Sequence, residues 1–127
     1  MGNKYWTAKC WILTIVLLVT VGIPVWGGAA DPDRTAKEIE HLLAYIGGST
    51  CQFIRNGKSY DAAEARAHIQ KKYDYIRSRV ETTENFIRYA ASQSSMSGKP
   101  YRIRCGDETM PCADWLREEL KRYRQQQ

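Results

Sequence analysis

Residues 51–60 constrain the fold more than any other part of the sequence. They read Cys-Gln-Phe-Ile-Arg-Asn-Gly-Lys-Ser-Tyr, and the central Asn-Gly favours the positive-φ turn that joins two neighbouring antiparallel strands. Residues 101–105 alternate with a period of two, which indicates another half-buried strand. Because a lone hairpin is marginal in water, we predict that these segments form a small two- or three-stranded antiparallel sheet.

Four other stretches have the capping residues and apolar spacing of helices. Asp31-Pro32 begins the first, Asp61 and Glu64 form a capping box for the second, a cap near Thr82 begins the third, and the fourth follows residues 106–111, which we interpret as a loop. Apolar residues recur at helical spacing in each stretch: Ile39, Leu42, Leu43 and Ile46; Ala65, Ile69, Tyr73, Ile76 and Val80; Phe86, Ile87, Ala90 and Ala91; Trp115, Leu116, Leu120 and Tyr123. We therefore predict an α+β domain with about four helices on the sheet.

The N-terminus has the three-part layout of a secretory signal peptide. Lys4 and Lys9 form a basic start, residues 11–23 form an apolar run, and small residues follow Pro24 as far as Ala30. We predict cleavage after Ala30.

The domain organisation follows from that leader: a signal peptide over residues 1–30 and one α+β domain over residues 31–127. An uncleaved membrane anchor is the alternative, since the charge-free run over residues 10–30 reaches the roughly 20 residues that a bilayer requires. Both interpretations export the domain, and we predict a periplasmic location.

The charge of the chain argues against nucleic acid as a partner. The formal net charge is +5, and removal of Lys4 and Lys9 with the leader lowers it to +3. This excess is mild and spread through the domain, whereas nucleic-acid-binding domains concentrate positive charge on one face.

Three cysteines remain after the leader, since Cys10 leaves with it. An oxidising compartment favours one disulfide and one free thiol. We predict a Cys51–Cys105 bridge, because both residues flank strands that can share a sheet, and a free Cys112. Pairing of Cys105 with Cys112 is the alternative.

Five motifs together carry a family resemblance: Cys51-Gln-Phe-Ile-Arg-Asn-Gly, Thr83-Glu84-Asn85-Phe86-Ile87, Ser97-Gly98-Lys99-Pro100-Tyr101, Arg104-Cys105 and Asp114-Trp115-Leu116. With them, nearly all of residues 31–127 resembles a domain-of-unknown-function family of small exported proteins from Gram-negative bacteria. The resemblance implies a periplasmic location. It implies no reaction, catalytic residue or cofactor.

The polar segment before the last predicted strand is the best candidate binding region. Ser95, Ser97, Lys99 and Tyr101 lie in or beside a loop between a helix and a strand, where binding residues are often found. We predict that they contact an unknown periplasmic protein or envelope ligand. The alternative is a turn that only fixes the strand.

Two function classes follow from these observations. The leading hypothesis is a non-catalytic binding or interaction module. The alternative is a thiol or redox protein that uses Cys112, whose place at a helix start would lower its pKa, or a small hydrolase that uses Ser97, Lys99 and His68.

Histidine spacing gives little support for a metal site. Glu38-x-x-His41 has the spacing found in carboxylate-bridged metal bundles, but such sites need a second copy of the Glu-x-x-His motif on another helix. Ala65 stands at the equivalent position before His68. We predict no metal and no cofactor.

Overall fold

The computed structural model describes residues 30–127, so the predicted signal peptide lies outside the described residues apart from Ala30. The helices are α1 (Pro32–Gly47), α2 (Ala62–Ile76), α3 (Thr83–Ala90) and α4 (Cys112–Gln125). The strands are β1 (Gln52–Arg55), β2 (Lys58–Tyr60), β3 (Arg102–Cys105) and β4 (Glu108–Pro111). Between residues 30 and 127, no helix is long and apolar enough to cross a membrane.

Side-chain caps begin the first three helices where the sequence predicts them. The Asp31 carboxylate accepts from two backbone N–H groups of α1, and Asp61 and Glu64 form the reciprocal capping box of α2. Thr82 caps α3. These capping bonds satisfy N–H groups that have no partner inside the helix. Helix α2 ends at Ile76, and a short 3-10 turn leads on towards Val80.

The four strands form one antiparallel sheet in the order β2-β1-β3-β4. Positive φ angles at Asn56 (51°) and Gly57 (79°) confirm the predicted hairpin turn between β1 and β2. The fourth strand occupies part of the predicted loop over residues 106–111. Gly106 (φ 63°) and Asp107 make a two-residue connection between β3 and β4, and Gly-Asp at such a connection is a hairpin signal in its own right.

The predicted disulfide joins Cys51 to Cys105 and leaves Cys112 as the free cysteine of the described chain. Gln52 lies opposite Arg104 across β1 and β3, so the same register sets the two cysteines face to face. Their Cα atoms are 4.6 Å apart, the separation expected for directly opposed residues of a non-hydrogen-bonded pair. Strand pairing therefore determines which cysteines bond.

Helices cover one face of the sheet and bury a single apolar core. Helix α2 packs on β1, α4 packs on β3 and β4, and α1 contacts the other three helices. The largest fully buried apolar side chains come from helices and sheet alike: Phe86, Leu42, Ile46, Ile87, Ile103 and Leu116. The predicted α+β architecture of four helices and a disulfide-linked antiparallel sheet is confirmed, and the sheet has four strands.

Candidate functional site

The β1–β2 hairpin places Arg55 and Tyr60 on the face of the sheet that looks towards α2. Tyr60 lies opposite Phe53, and Arg55 is the last residue before the turn. The Arg55 Nη2 atom donates to the Tyr60 hydroxyl at 3.0 Å, and the guanidinium lies 4.6 Å from the centre of the Tyr60 ring. This cation–π contact and hydrogen bond hold the guanidinium beside α2.

His68 of α2 lies between Arg55 and Tyr101. The Arg55 Nη1 atom lies 2.6 Å from His68 Nδ1, and His68 Nε2 lies 3.0 Å from the Tyr101 hydroxyl oxygen. A guanidinium only donates hydrogen bonds, so Nδ1 must accept and the imidazole proton must sit on Nε2. His68 is therefore neutral and donates to Tyr101.

Burial, followed by the positive charges of Arg55, Lys72 and Lys71, holds the pKa of His68 below its usual 6.5. Both causes disfavour the imidazolium form. The lowered pKa agrees with the neutral tautomer that the hydrogen bonds require.

Both tyrosine hydroxyls keep a hydrogen for another acceptor. Tyr60 and Tyr101 each use an oxygen lone pair to accept from Arg55 and His68, respectively. Within the described part of the chain, neither hydroxyl donates to a protein acceptor. The Tyr60–Arg55–His68–Tyr101 chain, here called the donor chain, therefore ends in two free O–H donors.

The segment over residues 92–101 forms the opposite wall and is itself ordered. The backbone N–H of Tyr101 donates to the Ser92 carbonyl at 2.9 Å, and the backbone N–H of Ser94 donates to the Lys99 carbonyl at 3.0 Å. Ser97 Oγ donates to the Asn56 side-chain oxygen at 2.6 Å, which ties the segment to the hairpin turn. Burial lowers the pKa of Lys72, whose Nζ donates to the Gln93 carbonyl at 2.5 Å.

An open groove, here called the cleft, lies between α2, the hairpin and this segment. Its cationic lining residues are Arg55, Lys58, Lys71 and Lys72, and the remaining lining is polar or aromatic apart from Met96. Of the described residues that line it, none is acidic. Positive charge and hydroxyl donors therefore converge on one groove, an arrangement that attracts anions.

A smaller, mainly apolar space of about 160 Å³, here called the cavity, adjoins the cleft. The donor chain lines both spaces. Buried Phe53, Ala65, Ile69 and Cys112 complete most of the apolar wall. The cavity therefore shares with the cleft the polar groups of the donor chain.

Two of the four predicted binding residues line the cleft and two do not. Ser95 and Tyr101 line the cleft, whereas Ser97 fixes the segment to Asn56. Lys99 is exposed and lines neither the cleft nor the cavity. Binding by these four residues stays a prediction.

The binding residues predicted from the sequence do not include Arg55, Tyr60 or Lys72. His68 and Lys72 lie four residues apart and so share one face of α2, which is the available sequence signal. Their partners Arg55 and Tyr101 come from other elements, and a helical pattern alone does not name them.

The alternative catalytic arrangements are not assembled as predicted. Cys112 is fully buried, and burial raises the pKa of its thiol to about 12, opposite to the lowering expected at a helix start. Helix α4 begins at Cys112 with Pro111 at the cap position, so Cys112 occupies the first turn and is not the cap. The two ring nitrogens of His68 bond to Arg55 and Tyr101, and Ser97 bonds to Asn56. Neither Ser97 nor Lys99 therefore pairs with His68.

The remaining titratable clusters join helices. Glu38 of α1 is buried and binds Arg124 of α4 through two hydrogen bonds of 2.7 Å. His41 Nε2 lies 2.6 Å from a Glu119 carboxylate oxygen. In the region from residue 30 to 127, no three His, Cys, Asp or Glu side chains are grouped so that they could hold a metal ion.

One curated relative is the "Uncharacterized protein YfeK" of Salmonella typhimurium (strain LT2). It is 32% identical over 90 residues, which cover 71% of this chain and 74% of the relative. No solved structure matches the chain.

A family model supports the resemblance seen in the sequence motifs. The "Family of unknown function (DUF5329)" matches residues 33–124, which include every helix and strand of the described chain at least in part. The family match and the Salmonella relative agree in assigning no activity. This chain belongs to the bacterial family of unknown function DUF5329.

Proposed function

We propose that the protein is a non-catalytic periplasmic binding module whose cleft binds an anionic ligand. The observation that carries this proposal is the donor chain: after its internal hydrogen bonds are made, two hydroxyl hydrogens and a guanidinium remain at the cleft. A carboxylate or phosphate oxygen accepts from such groups, and charge-assisted hydrogen bonds are stronger than neutral ones.

The surrounding charges support an anion over a cation. Lys58, Lys71 and Lys72 add positive charge around Arg55. Glu64 lines the cavity, but its carboxylate accepts from the Asp61 backbone N–H at 3.1 Å as part of the helix cap. A bound anion would therefore face cations and hydroxyl donors.

The periplasmic part of the proposal is supported by the Cys51–Cys105 disulfide and by the predicted leader. Structural disulfides persist in oxidising compartments and are rare in the cytosol of mesophiles. The non-catalytic part is supported by the burial of Cys112 and by the separation of His68 from Ser97 and Lys99.

The test is an anion titration of protein released from the periplasm of cells that express the full chain. Sodium acetate and sodium phosphate are added at constant ionic strength, and backbone amide shifts of Arg55, His68 and Tyr101 are followed by NMR. We expect saturable shifts at these residues, and none when choline chloride replaces sodium chloride at the same chloride concentration, because the cleft is cationic.

A matched pair of charge reversals distinguishes the effect of charge within the cleft from the effect of the protein's net charge. Lys71→Glu, within the cleft, should weaken anion binding at least threefold. Lys121→Glu, on the exposed surface of α4, should leave it unchanged. Equal weakening by both variants, no saturable shifts in the unmodified protein, or recovery only from the cytosol would contradict the proposal.

A further inference from the structure

We infer that the ligand of the cleft is an organic acid whose apolar group, of up to about six carbon atoms, enters the cavity. This inference rests on the proposed function and adds the class of ligand. Its anionic group, a carboxylate or phosphate, lies at the donor chain, and its apolar group lies against the buried end of the site.

The size of the cavity sets the size of the apolar group. The cavity volume is about 160 Å³, and an apolar cavity of roughly 150 Å³ in a protein core accommodates benzene and stays dry when empty. Phe53, Ala65 and Ile69 are buried apolar residues of this wall. A ring or short branched chain therefore fits, and a long acyl chain does not.

The position of the donor chain sets the position of the charge. Arg55, Tyr60, His68 and Tyr101 line both the cavity and the cleft. An anionic group bound to them therefore lies beside both spaces, as a carboxylate attached directly to the apolar group would. A neutral compound of the same shape would fill the cavity and leave the cationic groups without a counter-charge.

Cys112 contributes an uncharged wall to the cavity. Its thiol is fully buried, and burial raises its pKa to about 12, so it carries no charge at neutral pH. A buried thiol packs as a small apolar group. It therefore suits an apolar group and does not repel a neighbouring anion.

The experiment titrates three carboxylates of equal charge and increasing apolar size, together with two comparison compounds, into the full protein by NMR. Acetate, butanoate and benzoate carry the same carboxylate, benzamide is the neutral analogue of benzoate, and phenyl phosphate changes the anionic group. We expect benzoate to bind at least tenfold more tightly than acetate and at least tenfold more tightly than benzamide, with butanoate between acetate and benzoate. Comparison of phenyl phosphate with benzoate identifies which anionic group the donor chain prefers.

Cavity-filling variants test whether the tighter binding of benzoate comes from its ring entering the cavity. Ala65→Leu and, separately, Cys112→Leu should remove the tenfold advantage of benzoate while acetate binding persists. If either variant fails to fold, the probe series in the unmodified protein still decides the matter. Equal affinities for acetate and benzoate would overturn this inference and leave the anion site standing, whereas no binding of any anion would overturn the proposed function as well.

Discussion

At the residue scale, the cleft depends on the hydrogen bonds of His68. The Arg55 guanidinium requires an acceptor at Nδ1, so the Nε2–H tautomer and its bond to Tyr101 follow from one contact. A charged imidazolium has no lone pair for Arg55. Protonation of His68 would therefore break the donor chain at its centre.

We predict that His68 is the neutral Nε2–H tautomer at pH 7 and that its pKa lies below 6.5. Arg55→Met should raise this pKa towards 6.5, because the variant removes a nearby positive charge while most of the burial remains. Lys58→Met is the control, since Lys58 lies over the Tyr60 ring and is not among the charges that lower the pKa of His68. The measurement is a long-range ¹H–¹⁵N NMR titration, and a proton found on Nδ1 would contradict the structure.

At the element scale, a buried ion pair holds α4 to the other helices. Arg124 near the end of α4 binds both carboxylate oxygens of Glu38, and Thr83 of α3 donates to Glu38 at 2.5 Å. Arg34 of α1 adds a fourth hydrogen bond of 2.9 Å. The hydrogen bond from Arg124 is the largest cause that lowers the pKa of Glu38, from 4.5 to about 2, against the opposing effect of burial.

Loss of the Arg124 guanidinium should cost far more stability than loss of an exposed arginine. Arg124→Gln leaves the Glu38 carboxylate buried without its main partner, and we expect the free energy of unfolding at pH 7 to fall by about 3 kcal/mol. Arg117→Gln is the matched control on the same helix, because its pair with Asp114 is exposed and contributes less than about 1 kcal/mol. Urea denaturation measures both values.

The same ion pair gives the stability of α4 a defined pH dependence. The unfolded chain holds more protons at Glu38 than the folded protein does between pH 4.5 and about 2, so this contribution is complete above pH 4.5 and is lost as pH falls to about 2. The difference in the free energy of unfolding between the Arg124→Gln variant and the unmodified protein should therefore become smaller as the pH falls over that range. A difference that stays constant down to pH 2 would show that Glu38 is not the residue involved.

At the scale of the whole molecule, the disulfide closes a loop of 54 residues that contains the hairpin, α2, α3 and the wall of the cleft. Constraining so long a loop in the unfolded chain stabilises the folded one. The bridge therefore supports the whole site and not one strand pair alone.

We predict that reduction of the bridge lowers the free energy of unfolding by about 4 kcal/mol in the chain-entropy model. Denaturation with and without a reductant measures this change. The Cys51→Ser/Cys105→Ser double variant is the control, because reductant should not alter its stability further. An unchanged stability of the unmodified protein after full reduction would contradict this account.

The sequence by itself determined the local elements of the protein. Asn56-Gly57 specifies its turn, and Asp31 and Asp61 specify the starts of their helices, because each acts through backbone groups only a few residues away. The same short-range chemistry at Gly106-Asp107 could have identified β4.

Only the tertiary structure decided the chemistry of the cleft. Arg55 and Tyr101 lie 13 and 33 residues from His68, and Arg124 lies 86 residues from Glu38. The burial of Cys112 likewise depends on how α4 packs against the sheet. Proton positions, pKa directions and the cavity follow from contacts between separate elements, and such contacts exist only once the helices and the sheet have packed together.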